Sequence, residues 1–324
     1  GEGWKTESSV HSVYRFFKPL RRCSSQSGEL FESILSPGIS PKNWSGRRGP
    51  SPRSMVQRRN KISLASSRQM KSQRRRKPKL HVIIPLLNEA ENLPTLMQSW
   101  KKLQRRLSRY KIFFVLVDDG STDNTAKAAL EHSNKIDLVV LSHETNMGPG
   151  YAFGTGFGYL AGRLHRDDIV LTAEGDNTSR VELIPTMVER MEREKYDVIL
   201  ASPYAYGGDL GNTKPIRVLL SHFANAFVKS ALGIRGIHTL SSFFRVYSGE
   251  IIQRLQSRYG NRILERAGFE SMVELLKKLS ILGASISEVP MNLDTSKRAG
   301  SSRMKVLKTI FGYLRLSLDV KKWY

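Results

Sequence analysis

The sequence has little cysteine and no long apolar run. A single cysteine, Cys23, occurs among 324 residues, which excludes a disulfide framework and any metal site built from several thiolates. No apolar run reaches about 18 residues, so the sequence predicts no conventional membrane-spanning helix. The seven histidines show no metal-binding spacing. These absences leave a chain long enough to bury a core without covalent or histidine-based support.

Acidic residues are scarce in the first quarter of the chain. Residues 1–80 hold 19 Lys and Arg, four Glu and no Asp, a net charge of +15, whereas residues 81–324 hold 33 basic and 25 acidic residues, a net charge of +8. Sixteen serines accompany this excess. Low hydrophobicity with high net charge is typical of disorder, so we predict a basic, Ser-rich disordered tail over residues 1–79. Because most of the excess lies outside the folded part, we expect no nucleic acid as a partner.

The same composition has a second interpretation. A basic, Ser-rich, acid-poor N terminus is also typical of an organelle transit segment. The sequence starts at Gly1, and Met55 and Met70 are candidate true starts, so organelle targeting depends on whether residues 1–54 belong to the protein. A basic arm can also contact anionic lipid headgroups, at about 1 kcal/mol per Lys or Arg.

The rest of the chain alternates between strand and helix patterns. Short β-branched runs predict buried parallel strands at Leu80–Leu87, Lys111–Val117, Ile136–Leu141, Asp168–Thr172 and Asp197–Ala201. Amphipathic patterns predict helices at Glu91–Leu107, Asp123–His132, Val181–Arg193 and Gly268–Leu282. Repeated alternation at this spacing predicts an α/β fold with a doubly wound, mostly parallel sheet flanked by helices.

Acidic residues follow three of the predicted strands. Asn88 and Glu89 follow the first strand, Asp118–Asp123 the second, and Glu174–Asp176 the fourth. Ligands of such sheets bind outside the carboxyl ends of the strands, so we expect these loops to converge at one edge. Clustered carboxylates repel one another unless a cation or a hydrogen-bonding ligand lies between them. Oxygen ligands of this kind suit Mg²⁺ or Mn²⁺ bridging a diphosphate.

Five short motifs carry a resemblance to a known enzyme family. In chain order they are Pro85-Leu86-Leu87-Asn88-Glu89, Val117-Asp118-Asp119-Gly120-Ser121-Thr122-Asp123, Asn146-Met147-Gly148-Pro149-Gly150, Ser242-Phe243-Phe244-Arg245-Val246-Tyr247 and Glu288-Val289-Pro290. Their order and spacing resemble family 2 glycosyltransferases with a GT-A fold, and within them the dolichyl-phosphate mannosyltransferase-like, polyprenyl-phosphate sugar transferases. The resemblance runs from about residue 80 to about residue 318. It implies a GT-A glycosyltransferase domain over residues 80–300.

The resemblance implies a nucleotide-sugar site with a bound metal. The residues expected to line the donor are Pro85, Asn88, Glu89, Asp118, Asp119, Gly148 and Gly175. The family's D-x-D metal motif falls on Glu174-Gly175-Asp176, where glutamate replaces the first aspartate but remains a hard oxygen ligand. Relatives often place a Gln ligand where this chain has Thr178, and Asn177 or water is an alternative to Thr178. Mg²⁺ or Mn²⁺ is the implied cofactor.

The resemblance also implies a phosphate and acceptor side. Arg217 and Ser221 match positions that reach phosphate in relatives, Arg298 matches an R-x-x-G-x-S loop, and Arg303 stands where relatives usually have Lys. Ser202-Pro203-Tyr204 replaces the S-R-Y of relatives, so that arginine is absent.

Three residues are the catalytic candidates: Asp176, Arg298 and Glu270. Asp176 and Arg298 would stabilise the leaving diphosphate. Glu270 shares one face of its predicted helix with Glu274, four residues on. It is either a base, an acceptor-side contact or a surface residue paired with cations.

The expected function is inverting, metal-dependent transfer of a hexose from a GDP- or UDP-sugar to a polyprenyl phosphate. A phosphate acceptor is already largely ionised and needs only cationic positioning, whereas a hydroxyl acceptor needs a carboxylate base. Transfer to a glycan or lipid hydroxyl is therefore one alternative, which the missing arginine and Glu270 favour. A catalytically degenerate scaffold subunit is the other, because Glu174 and Thr178 replace the usual metal ligands.

The C-terminal residues 301–324 have a basic, amphipathic pattern. The apolar residues that lie near one helical face are Val306, Leu307, Ile310, Leu314 and Leu318. Such a pattern predicts a helix at a membrane interface, or one packed on the core. We expect a peripheral protein at the cytoplasmic face of a membrane, held there by this helix and the basic arm or by a membrane partner subunit.

Overall fold

A computed structural model describes residues 76–132, 136–211 and 225–293, nine residues between 312 and 323, and the backbone of His11–Phe16. The chain divides into two compact units, residues 1–18 with 77–324 and residues 19–76. The central sheet and the helices that flank it lie in the first unit.

An eight-stranded, mostly parallel sheet forms the centre of this unit. Its strands are β1 (His11–Phe16), β2 (Lys79–Leu86), β3 (Lys111–Asp118), β4 (Asp137–His143), β5 (Ile169–Thr172), β6 (Val198–Ser202), β7 (Arg245–Ser248) and β8 (Ile286–Pro290). Their order across the sheet is β1-β4-β3-β2-β5-β7-β6-β8. The chain therefore winds outward in one direction from β2 and in the other from β5, which makes the crevice between β2 and β5 the topological switch point.

Helices cover both faces of the sheet. Those whose two ends lie within the described residues are α1 (Leu93–Gln104), α2 (Thr125–Glu131), α3 (Pro149–Leu160), α4 (Ile184–Glu194), α5 (Gly249–Tyr259) and α6 (Ser271–Ile281). One apolar cluster joins the sheet to α1 and α4 through residues such as Trp100 and Met187. A second cluster joins the other face to α3, α5 and α6 through residues such as Phe153, Leu255 and Leu275. The predicted doubly wound α/β fold is confirmed.

The five predicted strands are present, with ends within two residues of the expected positions. The strand patterns did not include β8, which ends at the Glu288-Val289-Pro290 motif. They also missed β7, which has only four residues and pairs antiparallel with both β5 and β6. Four residues are too short to show a period of their own, and Ser242–Tyr247 stands out in the sequence only as a motif. The predicted helix at Glu91–Leu107 is shorter in the structure, beginning at Leu93 with Pro94 in its first turn.

The sequence pattern predicts no strand in the N-terminal quarter. The backbone of β1 nevertheless pairs in parallel with β4, with His11 opposite Leu138 and Phe16 opposite His143. These six residues thus extend the sheet beyond β4. The other residues of the predicted tail up to residue 75, with Met55, Met70 and Cys23, lie outside the described residues.

The described part of the C-terminal segment packs on the core. Tyr313, Leu316 and Trp323 are buried in the cluster on the α5 and α6 side, while Arg315 is exposed. The Tyr259 hydroxyl donates to the Trp323 carbonyl at 3.2 Å. The five apolar residues that suggested an interfacial helix lie outside the described residues. Within the described residues, no helix combines the length and apolar character needed to cross a membrane.

Candidate functional site

The loops after β2, β3 and β5 meet at the switch point. The Glu89 backbone N–H donates to Thr125 Oγ1 at 2.8 Å, which joins the first loop to the start of α2. Asn177 donates to the Asn92 carbonyl at 3.1 Å, which joins the loop after β5 to the loop after β2. A Cβ atom on Gly175 would lie only 2.7 Å from a Leu86 methyl carbon. The predicted convergence of these loops is confirmed, and Gly175 is what allows the close approach.

Asn88 connects the first two loops. Its backbone has a φ of 49°, a left-handed conformation that asparagine tolerates better than most residues. In this conformation its N–H donates to Ser121 Oγ at 2.9 Å, and its side-chain oxygen accepts from the Thr122 N–H at 2.7 Å. Nearby, Asp118 accepts from the Ser121 N–H at 3.0 Å. These bonds fix the shape of the surface formed by the loops after β2 and β3, here called the ledge. A nucleotide is expected to lie on it.

Both oxygens of the Asp119 carboxylate have partners within the protein. It accepts from the Met147 N–H at 2.9 Å and the Gly148 N–H at 2.8 Å, and it lies 2.7 Å from His143 Nδ1. Only 3% of Asp119 is exposed. Asp119 therefore shapes the turn that begins α3. Its expected contact with the base or ribose stays a prediction.

Glu174 and Asp176 lie on the loop after β5 and are partly exposed. Asp176 Oδ1 accepts from the N–H and the hydroxyl of Thr178, at 3.1 and 2.5 Å, and Glu174 contacts the Ser179 hydroxyl. Because Thr178 is buried and donates to Asp176, the structure shows it as a support for that carboxylate. Its role as a metal ligand stays a prediction.

The chemistry of this loop fits a metal that phosphate helps to bind. Across the described residues, no group of three or more His, Cys, Asp and Glu side chains is arranged to hold a metal. Mg²⁺ usually takes only one or two protein carboxylates together with substrate phosphates and water. Glu174 and Asp176 match that pattern.

Arg245 lies behind the acidic loop and is completely buried. Its guanidinium donates to the carbonyls of Ser242, Leu240 and Met272 at 2.7, 2.6 and 3.0 Å. Burial lowers its pKa, and the charge of Glu174 is among the influences that oppose this shift. Arg245 thus joins the segment before β7 to α6 and places a cation behind Glu174. The sequence marked the motif but not this role.

Glu270 lies where α6 meets the C-terminal segment. Its Oε1 accepts from the Gly268 N–H at 3.3 Å, and a Cβ atom on Gly312 would lie 2.8 Å from its carboxyl carbon. Burial raises the pKa of the adjacent Tyr313, so this phenol stays protonated, and Ser241 is its hydrogen-bond partner. Glu270 is half-buried between two glycines. Its role as a base stays a prediction.

Glu274 has a separate, structural environment, although it was expected on the same helical face. It is wholly buried, pairs with Lys278 at 2.6 Å and accepts from the Glu265 and Arg266 N–H groups at 3.0 Å.

The predicted phosphate-side residues, Arg217, Ser221, Arg298 and Arg303, lie outside the described residues.

The sequence comparison supplies the family. The family model described as Glycosyl transferase family 2 matches residues 81–255, which is more than half of the chain. The chain belongs to this family of glycosyltransferases, and the resemblance seen in its motifs is confirmed.

Curated relatives agree with this assignment. Dolichol-phosphate mannosyltransferase of Pyrococcus furiosus is 30% identical over 246 residues, covering 76% of this chain and 64% of that protein. Polyprenol monophosphomannose synthase of Mycolicibacterium smegmatis is 25% identical over 227 residues, covering 69% of this chain and 80% of that protein. The chain thus spans just under two thirds of the length of the Pyrococcus protein.

Solved structures show more distant likenesses. S. aureus TarS 1–349 gives a TM-score of 0.48 at 21% identity, covering 75% of this chain and 65% of that chain. Mannosyl-3-phosphoglycerate synthase from Rubrobacter xylanophilus gives a TM-score of 0.48 at 13% identity, covering 75% of this chain and 74% of that chain.

Proposed function

We propose that this protein is an inverting, metal-dependent glycosyltransferase that moves a hexose from a GDP- or UDP-sugar to a polyprenyl phosphate. The observation that carries the proposal is the meeting of Glu174 and Asp176 with the loops after β2 and β3 at the switch point, in a chain of this family. The names of the two curated relatives support the acceptor class, since one contains dolichol-phosphate and the other polyprenol monophosphomannose.

The donor would lie along the ledge formed by the first two loops. Pro85, Asn88, Glu89 and Asp118 would face the base and ribose, and Gly175 lets the loop after β5 approach this part of the site closely. Glu174 and Asp176 would hold Mg²⁺ or Mn²⁺. A divalent cation there neutralises charge on the diphosphate as it leaves. Thr178 and Ser179 would orient the two carboxylates.

The acceptor phosphate would attack the anomeric carbon from the opposite side. The residues proposed to hold phosphate are Arg217, Ser221, Arg298 and Arg303. An ionised phosphate needs positioning rather than a base, so the three arginines together with Ser221 would be sufficient. We place the reaction at the cytoplasmic face of a membrane, because a polyprenyl chain is confined to lipid.

Glu270 favours a second candidate acceptor, a glycan or lipid hydroxyl. Its carboxylate is half-buried beside the protonated phenol of Tyr313, at the side of the site reached from α6. A carboxylate repels an anionic phosphate but can accept a proton from a hydroxyl.

The test supplies the full chain with Mg²⁺ or Mn²⁺, radiolabelled nucleotide sugars and a polyprenyl phosphate in detergent. We expect label in the organic phase, and its loss with EDTA or in Asp176→Ala. Asp167→Asn is the matched control, because Asp167 is an exposed acid just before β5. It therefore lies at the amino-terminal ends of the strands, away from the acidic loops.

Three results distinguish the alternatives. Label in the organic phase that survives Asp176→Ala would contradict the role of Asp176. Nucleotide release without organic-phase label would favour a hydroxyl acceptor. No turnover and no calorimetric binding of any donor would favour the scaffold subunit.

A further inference from the structure

A buried chain of hydrogen bonds runs from β3 through β4 to α3. Asp119 lies 2.7 Å from His143 Nδ1, and His143 Nε2 lies 2.9 Å from Thr155 Oγ1. The side chains of His143 and Asp119 are only 3% and 4% exposed. The sequence drew attention to Asp119 but not to His143 or Thr155. Their position is informative because His143 ends β4, at the same sheet edge as the acidic loops.

The chemistry of these groups assigns the donors. An ionised carboxylate only accepts hydrogen bonds, so His143 Nδ1 carries the proton that faces Asp119. His143 Nε2 makes the next hydrogen bond, with the Thr155 hydroxyl at 2.9 Å. Asp119 receives two further bonds, from the Met147 and Gly148 N–H groups. Every polar atom of the imidazole thus has a partner.

The chain of bonds holds the Met147–Gly148 turn, which lies next to the part of the ledge formed by the loop after β3. Asp119 holds the backbone of Met147 and Gly148, and the neighbouring Gly120 leaves no room for a Cβ atom against Thr145 and Asn146. A rotation of the Asp119 carboxylate would release the two N–H groups, and the turn would move with them. His143 supplies the remaining bond that opposes this rotation.

We propose that His143 is a positioning residue for donor binding, which holds Asp119 and through it the Met147–Gly148 turn against the nucleotide. Thr155 sets the ring orientation from α3. This inference rests on the proposed function, since it presumes that the donor lies on this ledge. It differs from the role that the family resemblance implied for Asp119, because here the carboxylate acts on the nucleotide through the turn.

The protein contains a matched control for this pair. His81 Nε2 lies 3.4 Å from Asp168 Oδ2, and both residues are buried. This second pair joins the start of β2 to the residue before β5, so it lies at the opposite edge of the sheet. His81→Leu and His143→Leu both remove a buried histidine–aspartate contact, of 3.4 Å at His81 and 2.7 Å at His143, but only His143 is connected to the ledge.

The experiment measures calorimetric affinity for the accepted nucleotide sugar, steady-state kinetics and unfolding in urea, using the full chain. We expect His143→Leu to weaken donor binding about tenfold or more, as expected when a hydrogen bond to a buried charge is lost. The rate at saturating donor should stay within about threefold, because ground-state positioning is what changes. His81→Leu should lower stability comparably and leave donor affinity unchanged.

A conservative variant separates positioning from packing. Asparagine carries its amide nitrogen at the position of Nδ1, so His143→Asn keeps the donor to Asp119 and should restore most of the donor affinity. Equal affinity losses in His143→Leu and His81→Leu, or no recovery in His143→Asn, would overturn this inference while the proposed function stands. A wild-type chain that binds no nucleotide sugar would overturn both.

Discussion

Several residues of the family motifs hold the protein's own backbone. Glu288 of the E-V-P motif accepts from the His238 and Thr239 N–H groups at 2.8 and 2.7 Å. Asp119 accepts from two N–H groups in the turn before α3. Arg245 donates to three carbonyls. These charged side chains satisfy backbone groups outside the sheet, so a motif marks a site without saying which of its residues touch the ligand.

At the scale of single residues, a prediction can be made for Arg245. A lysine has one nitrogen and no planar fork, so Arg245→Lys would leave some of the three buried carbonyls without a partner. We expect the free energy of unfolding to fall by about 2–4 kcal/mol, since each unsatisfied buried group costs about 1–3 kcal/mol. Urea unfolding monitored by tryptophan fluorescence measures this change.

The control is Arg166→Lys. The Arg166 side chain is 73% exposed and pairs with Glu250 on the surface. Exposed pairs contribute about 0–1 kcal/mol, so this variant should be nearly neutral. Equal effects of the two substitutions would show that the buried fork of Arg245 is not a stabilising feature.

At the scale of elements, α3 shows how glycine spacing serves packing. A Cβ atom on Gly150 would overlap the Arg266 carbonyl, and one on Gly156 would overlap Ile83 of β2. Gly158 has open space around it. The absence of side chains at Gly150 and Gly156 therefore lets α3 pack closely against both β2 and the loop before α6.

This arrangement predicts opposite effects along one helix. Gly150→Ala should lower the free energy of unfolding by about 1–3 kcal/mol or more, because the backbone carbonyl of Arg266 must move. Gly158→Ala should raise it by up to about 1 kcal/mol, because alanine is the better helix former. Thermal and urea unfolding of the two variants provide the measurement. A stabilised Gly150→Ala protein would contradict the close packing of α3.

The described residues of the C-terminal segment pack on the core of the protein. Asp319 pairs with Arg266, and the Lys278 ammonium lies 5.3 Å from the centre of the Trp323 ring. Tyr313 and Gly312 reach the Glu270 side of the candidate site. The buried Tyr313 and Trp323 of this segment belong to the apolar cluster on the α5 and α6 side. The interfacial helix expected within residues 301–324 stays a prediction, because its five apolar residues lie outside the described residues.

At the scale of the whole molecule, β1 decides where the sheet ends. Without β1, β4 would be an edge strand with one row of unpaired backbone groups. A chain that begins at Met70 should therefore show faster amide exchange in β4, at the groups that face β1. Exchange in β2 and β3 should be unchanged, since both have neighbours on either side. Hydrogen–deuterium exchange of the two chains measures this difference.

The full-length chain is the reference in that experiment. Equal protection of β4 in both chains would contradict the pairing of β1. Donor binding should be the same in both, because the ledge lies at the carboxyl ends of β2, β3 and β5. A loss of donor binding on truncation would show that the N-terminal residues contribute to the site.

Local sequence was sufficient for much of the fold and for the meeting of the acidic loops. Buried strands such as β2 and β3 are continuous β-branched and aromatic runs, so their period and length identify them. The acidic loops follow these strands directly, and the carboxyl ends of parallel strands share one edge. The sheet, its helices on both faces and the meeting of the loops were therefore predictable, because each depends on patterns within about 20 residues.

Tertiary structure decided which partners these residues have. His143 and Asp119 are 24 residues apart, Asn177 and Asn92 are 85 apart, and Arg245 meets Met272 across 27. The insertion of β7 between β5 and β6 likewise depends on strand order rather than on its four residues. The sequence by itself determined five of the eight strands, four of the helices and the acidic loops that follow the strands, since these follow from local patterns. Which carboxylates remain open to a ligand and which hold the protein's own backbone followed only from long-range packing, because hydrogen-bond partners are chosen by proximity in space.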